Sequence, residues 1–281
     1  MTPHEPIKAI VIGASGSRKT SALCSLLIEG YRVALLDFDN GEKIIRNILR
    51  DNAAALERFS AISLTERMKI TNGRIFPVTA KAWTRAGDSL QNWKGNDGTE
   101  WGSIEKWDSS YVLAIDTMST MGSAAFNYHL AANDRLSSII SGNEYQRAIG
   151  TAQAYVIAML ELLHSRDVHC NVIVNTHVSY CKPDGTVPTQ AEKEIAEREK
   201  RLITLNGYPA SVGKSAGPKA SIYFNDVLYM HREGNHSQLW TVPKDNVIVK
   251  TCAPGVVKPS YPQPTALAEY FKAIRDLGAK S

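Results

Sequence analysis

Cysteine is the first scarcity in this 281-residue chain: four occur, Cys24, Cys170, Cys181 and Cys252, and no two stand in a C-x-x-C spacing. That argues against a zinc knuckle and against a disulfide framework, and leaves buried or incidental thiols as the expectation. Long apolar runs are missing too. None approaches the roughly 18 residues of a membrane span, and the opening "MTPHEPIK" lacks an apolar signal segment. The expectation is a cytoplasmic protein with no membrane partner. Nor is charge of one sign in large excess: a net +4 permits a polyanionic partner without the strongly basic footprint that would establish one. There is no internal repeat.

What is present reads as one α/β domain over 1–281. With 43% hydrophobic and 21% charged residues, the chain has ordinary globular usage and enough length for a sizeable core. Residues 7–13, "IKAIVIG", are a short β-branched run ending at glycine, the pattern of a buried parallel strand. Residues 19–29 place Ala22, Leu23, Leu26 and Leu27 at helical spacing and stop at Gly30, and "RVALLDFD" follows as a second strand. "YVLAIDTMSTM" is a third strand ending in an acid, and "HCNVIVNTHVSY" a fourth ending in polar residues. The stretch "YQRAIGTAQAYVIAMLELLHS" between them is a helical crossover, so the sheet is mostly parallel and covered on both faces.

Two segments interrupt the alternation. Residues 83–108 hold Trp83, Trp93, Trp101 and Trp107 around the polar "KGNDGTEWG"; aromatics anchoring an excursion onto the core are one account, a base-stacking platform the other. Residues 181–220 are rich in charge, Gly and Pro, and too long for an ordinary connection, so a functional or mobile loop is expected. "ASIYFNDVLYMHRE", "SQLWTV" and "NVIVKT" then read as consecutive strands with "EGNH" as a turn, and a helix over 264–277 closes the chain.

The stretch "VIGASGSRKTSAL", residues 11–23, nearly matches the phosphate-loop pattern G-x-x-x-x-G-K-[ST]. Gly13, Lys19 and Thr20 stand where the pattern requires, and Arg18 replaces its second glycine. In such a loop, here Gly13, Ala14, Ser15, Gly16, Ser17, Arg18, Lys19, Thr20 and Ser21, backbone amides and the helix N-terminus surround the β-phosphate. The lysine reaches the outer oxygens and the threonine hydroxyl binds magnesium. A strand before it and an amphipathic helix after it are the context the reading needs. Asp116 stands where an acid helps hold that ion, at the carboxyl end of a parallel strand, unless it only caps the next segment.

The order of these pieces resembles the RecA-type ATPase core: a phosphate-loop strand, strands ending in "LLDFDNGE" and "LAIDTMSTM", a long helix, a strand ending in "VIVNTH", a polar loop and antiparallel strands. Within it, the chain is most similar to compact bacteriophage ATPases of the Sak type, which accompany single-strand annealing and recombination. The resemblance implies a RecA-like P-loop fold, ATP and Mg2+ as ligands, a homo-oligomeric ring or filament, single-stranded DNA as partner and a phage single-strand-binding protein beside it, all in the host cytoplasm. It implies that Lys19 and Thr20 hold nucleotide and magnesium and that Asp116 is the Walker B acid. Asp39 or Glu42 would orient the attacking water, and either is otherwise a solvated turn residue. Asn175, Thr176 and His177 occupy the γ-phosphate-sensing position. DNA would meet the segments 127–147 and 182–219, the latter through Lys214 and Lys219, although "EKEIAEREKR" within it also reads as a solvated helix.

The departures bear on turnover. An arginine in a glycine conformation costs about 1–3 kcal/mol, yet a guanidinium beside a triphosphate can also bind it. Related ring ATPases present a lysine, and an arginine two residues on, to the neighbouring subunit; here these are Lys250 and Cys252, so Lys250 would act alone unless it is merely an exposed strand end. Slow hydrolysis is expected. The alternatives are a hydrolysis-impaired protein in which ATP controls assembly or a partner interface, and a small-molecule kinase, for which the chain has no arginine-bearing lid.

Overall fold

Two glycine signals fix the first βαβ unit. β1 (Lys8–Ile12) is buried along its length and ends at Gly13, where a Cβ would stand 2.5 Å from the Met230 carbonyl oxygen and 2.6 Å from Ser17 Oγ. Only glycine lets the chain turn there. α1 (Lys19–Ile28) closes with Gly30 at φ 98°, and the amides of Gly30 and Tyr31 donate to Leu27 O and Leu26 O at 3.2 and 3.0 Å. This paired closure satisfies carbonyls that the helix end would otherwise leave open. The computed structural model describes residues 5–71, 73–138, 140–184, 186, 188–199, 202–213 and 216–278.

β2 (Arg32–Asp37), α2 (Glu42–Ile48), α3 (Ala53–Leu56) and β3 (Phe59–Ser63) come next, then a projecting hairpin of β4 (Met68–Thr71) and β5 (Arg74–Pro77). α4 (Ala82–Gln91), a small hairpin of β6 (Trp93–Lys94) and β7 (Glu100–Gly102), β8 (Tyr111–Asp116), α5 (Met118–Ala132) and α6 (Gly142–His164) lead to β9 (Asn171–Thr176). β10 (Val178–Cys181), α7 (Gln190–Arg198), β11 (Asn206–Pro209) and α8 (Ala216–Ala220) precede β12 (Asp226–Glu233), β13 (His236–Trp240), β14 (Ser260–Pro262) and α9 (Ala266–Gly278).

Eight strands form the main sheet in the order β14-β13-β12-β1-β9-β8-β2-β3. The six from β12 to β3 run parallel and β13 and β14 antiparallel. One face packs on α4, α5 and α6 and the other on α1 and α9; each fully buried leucine of α1 contributes about 1.5–3 kcal/mol. This is the mostly parallel α/β sheet, covered on both faces, that the sequence predicts, with its antiparallel strands near the C-terminus.

The structure corrects several local readings. β3, absent from the sequence reading, is the edge strand beside β2. "NVIVKT" is not a strand: Asp245 and Asn246 both have positive φ, and the segment makes only isolated bridges, at Val247 and Lys250, so β14 is the strand that follows β12 and β13. The described part of 181–220 is not one loop. β10 pairs with β11, and α7 starts from a capping box in which Thr189 and Glu192 satisfy each other's amides. Trp93 and Trp107 are buried; Trp107 stacks on Tyr111 with ring centroids 5.0 Å apart, and Trp93 Nε1 donates to Ser60 Oγ at 3.0 Å. Neither offers a free face to a base.

Candidate functional site

Parallel register brings three polar residues of separate strands into one rank. Asp37 of β2 stands opposite Asp116 of β8, and Asp116 opposite Asn175 of β9. All three are buried at the carboxyl edge of the sheet, where open α/β sheets hold ligands. The phosphate-loop sequence closes over this rank and borders a cavity of 210 Å³ that Ser15, Arg18, Lys19, Thr20, Asp39, Asp116 and His177 also line.

Lys19 folds back into its own loop. Its Nζ donates to Gly13 O at 2.7 Å, Ala14 O at 2.9 Å and Ser17 Oγ at 3.4 Å. Burial pulls its ammonium down to about 8, against the fields of Asp116 and Asp39, which favour the charge. Ala14, Ser15 and Gly16 are exposed, Ser17 is buried and Ser21 borders the cavity. Arg18 is the N-cap of α1 with φ 76° and ψ 27°, it gives no side-chain cap, and the first turn of α1 holds no acid. The first amides of this helix are therefore open to an external anion.

Thr20 Oγ1 donates to Asp116 Oδ2 at 2.6 Å, and Asn175 Nδ2 donates to Asp116 Oδ1 at 3.2 Å. Burial raises the Asp116 carboxyl, the two hydrogen bonds lower it, and Asp37 and Asp39 push it up again. Asp116 does not cap α5, since Thr117 does so in a capping box with Thr120. Among the described residues Asn175 Oδ1 finds no hydrogen-bond partner although it is buried, an acceptor awaiting a donor.

The two acids proposed to orient water separate. Asp39 borders the cavity, whereas Glu42 is turned aside, its Oε1 accepting from Arg46 Nε at 2.7 Å. Sequence reasoning passed over a third, Asp37. Its oxygens accept the amides of Asp39, Gly41 and Glu42 at 3.2, 2.7 and 3.0 Å, and burial raises its carboxyl against those bonds. The signal for Asp37 was its place as the last residue of an apolar strand. Gly41 was missed as well: a Cβ there would collide with Asp116 Oδ2 and stand 2.8 Å from Thr20 Cγ2. Arg232 of β12, whose Nη1 donates to Gly16 O at 3.3 Å, gave no local signal.

His177 lies on the cavity wall, and the "NTH" end is tied onward: Thr176 Oγ1 donates to Ala210 O at 2.6 Å and the Ala210 amide to His177 O at 2.8 Å. Lys219 is exposed on α8 and does not line the cavity, and Lys214 lies outside the described residues. Lys250 also stands apart. It bridges Val227 near the start of β12, at the end of the sheet opposite the phosphate loop, and Cys252 donates to Asp226 through its amide at 2.8 Å. Segment 127–147 begins inside α5. Cys24, Cys170 and Cys181 are buried and all four thiols are free. Among the described residues no helix is long and apolar enough to cross a membrane.

No family model matches the sequence, and no curated protein matches it. Among solved structures, the chain is similar to the flagellar accessory protein FlaH from Methanocaldococcus jannaschii, at 8% identity and a TM-score of 0.36, over 94% of this chain and 89% of that one.

Proposed function

We propose that this protein is a RecA-like ATPase that binds ATP with magnesium at the carboxyl edge of its sheet. It assembles with copies of itself and acts on single-stranded DNA during phage recombination, annealing or repair, as the Sak-type ATPases it resembles in motif order do. Nucleotide binding is carried by one observation: Thr20 and Asp116, 96 residues apart, meet at 2.6 Å beside a buried lysine at an uncapped helix start.

The donor set fits magnesium, since Thr20 and Asp116 offer hard oxygen atoms. Among the described residues no group of three His, Cys, Asp or Glu could hold a metal, so phosphate oxygens and water would complete the coordination. The unpartnered Asn175 Oδ1 suits such a water. Magnesium, when bound, neutralises charge on the transferring phosphoryl group. Lys19 leaves its own carbonyls to bind phosphate oxygens, Asp39 orients the attacking water, and His177 reports the γ-phosphate to the segment after Ala210.

A hydrolysis-impaired nucleotide sensor is the second reading. It is favoured by Arg18, which replaces the second glycine of the loop pattern, and by Cys252, which stands where an arginine would act. DNA-stimulated phosphate release would exclude it. For the main reading, calorimetric titration with a non-hydrolysable ATP analogue and magnesium should show saturable binding that Lys19→Ala abolishes. Absence of binding at millimolar analogue sinks both readings.

A further inference from the structure

The insertion between β3 and α4 has no part in the nucleotide cleft, and its chemistry is uneven. Residues 65–85 carry five basic side chains and a single acid, Glu66. β4 and β5 form a two-stranded ribbon in which Met68 pairs with Pro77, Lys69 with Phe76 and Ile70 with Ile75. Directly opposed residues share a face, so Met68, Ile70 and Ile75 lie together, and they are 57%, 73% and 68% exposed. Adjacent apolar side chains left this open mark an interaction surface.

At the base of the ribbon, Arg67, Lys81 and Arg85 line one cavity of 350 Å³. None of the three forms an ion pair among the described residues. Glu66 lines the same cavity and offsets one of the three charges; its Oε1 accepts from the Ala82 amide at 3.1 Å and its Oε2 from Asn127 Nδ2 at 3.4 Å, which clips the ribbon to α4 and α5. With three cations to one carboxylate, the hollow keeps an excess of positive charge that an entering anion would neutralise. Its root is close to the cleft, since the Leu64 amide donates to Asp37 O at 2.8 Å.

We propose that this ribbon and its basal cavity bind a single-stranded nucleic acid, with backbone phosphates at Arg67, Lys81 and Arg85 and unpaired bases against Met68, Ile70 and Ile75. The proposal rests on the reading of the protein as one that acts on single strands, and it places the contact here instead of at 182–219. The cations select a polyanion. The apolar face selects unpaired bases, because reading a duplex groove takes hydrogen-bonding side chains, whereas an unstacked base offers a flat apolar face.

The test is fluorescence anisotropy of the full chain with a labelled oligothymidylate of about 30 nucleotides, longer than one site. The variant R67A/K81A/R85A should bind about tenfold or more weakly at low salt, with the slope of log affinity against log salt reduced by about 2. The variant M68S/I70S/I75S changes exposed positions only and should bind several-fold more weakly with an unchanged slope. Both should keep the wild-type circular dichroism and ATP-analogue affinity. Binding within twofold of wild type in both variants overturns the site while leaving the single-strand reading intact. A wild-type chain that prefers duplex overturns the assignment to unpaired bases. A wild-type chain that binds no strand, with or without analogue, ends the single-strand reading as well.

Discussion

Arg18 holds φ 76° and ψ 27°, a conformation that costs a residue with a Cβ about 1–2 kcal/mol. Glycine would remove that strain but lose roughly 0.5–1 kcal/mol to the entropy of the unfolded chain. Arg18→Gly is therefore expected to gain up to about 1 kcal/mol, read as a higher urea midpoint at unchanged slope; a lower midpoint would show that the side chain contributes more than the backbone loses. Lys19 sets a pH dependence. Its ammonium is lowered from 10.5 to about 8, first by burial, so between these values the unfolded chain holds the extra proton and stability rises with pH. Triphosphate oxygens favour the charged form, so analogue binding takes up a proton and weakens about tenfold per pH unit above about 8. A flat affinity profile between neutral pH and about 9.5 would remove Lys19 as the phosphate ligand.

At the scale of elements, the turn from β2 into α2 shapes one wall of the cleft. Asp37 accepts three amides of this turn, and Asp37→Ala, which strands them, should destabilise the protein by about 2 kcal/mol or more in thermal or urea unfolding. Gly41 is the companion constraint. In Gly41→Ala the new Cβ presses on Asp116 Oδ2 and Thr20 Cγ2, an overpacking of about 1–3 kcal/mol aimed at the pair proposed to hold magnesium. Magnesium-dependent analogue binding should fall by about tenfold or more, measured by calorimetry with and without the ion; unchanged binding would place magnesium elsewhere. Glu42 shows how an element diverts a candidate, because its partner Arg46 stands one helical turn away.

For the whole molecule, the question is whether one copy completes another. Lys250 lies at the edge of the sheet opposite the phosphate loop, so it reaches a cleft only if that cleft belongs to a neighbour. Lys19→Ala and Lys250→Ala should then each be inactive alone and regain hydrolysis when mixed, since one supplies the lysine at the interface and the other an intact loop. Mixed subunits with no more activity than either alone would retire Lys250 from catalysis.

The first βαβ unit was readable in advance because its signals are local: glycines at both ends of α1, a β-branched run and an apolar stripe within a few dozen residues. The same locality marked Lys19 and Thr20, whereas Asp116, 96 residues from Thr20, was singled out by its own strand end and joined to them by the order of the motifs. β3 escaped because "FSAIS" is short and half polar, and it is a strand only because β2 offers it a partner. "NVIVKT" misled because β-branched residues suit strands, while two positive φ angles just before it turn the chain across the sheet edge. Residue order along the chain thus specified the phosphate loop, the helices with their caps and the alternation that makes a covered parallel sheet. Register between strands far apart in sequence decided which acid lines the cleft, which acid braces a turn and which lysine lies out of reach. It also set a basic ribbon beside the proposed nucleotide cleft, because partners along a strand are chosen across space.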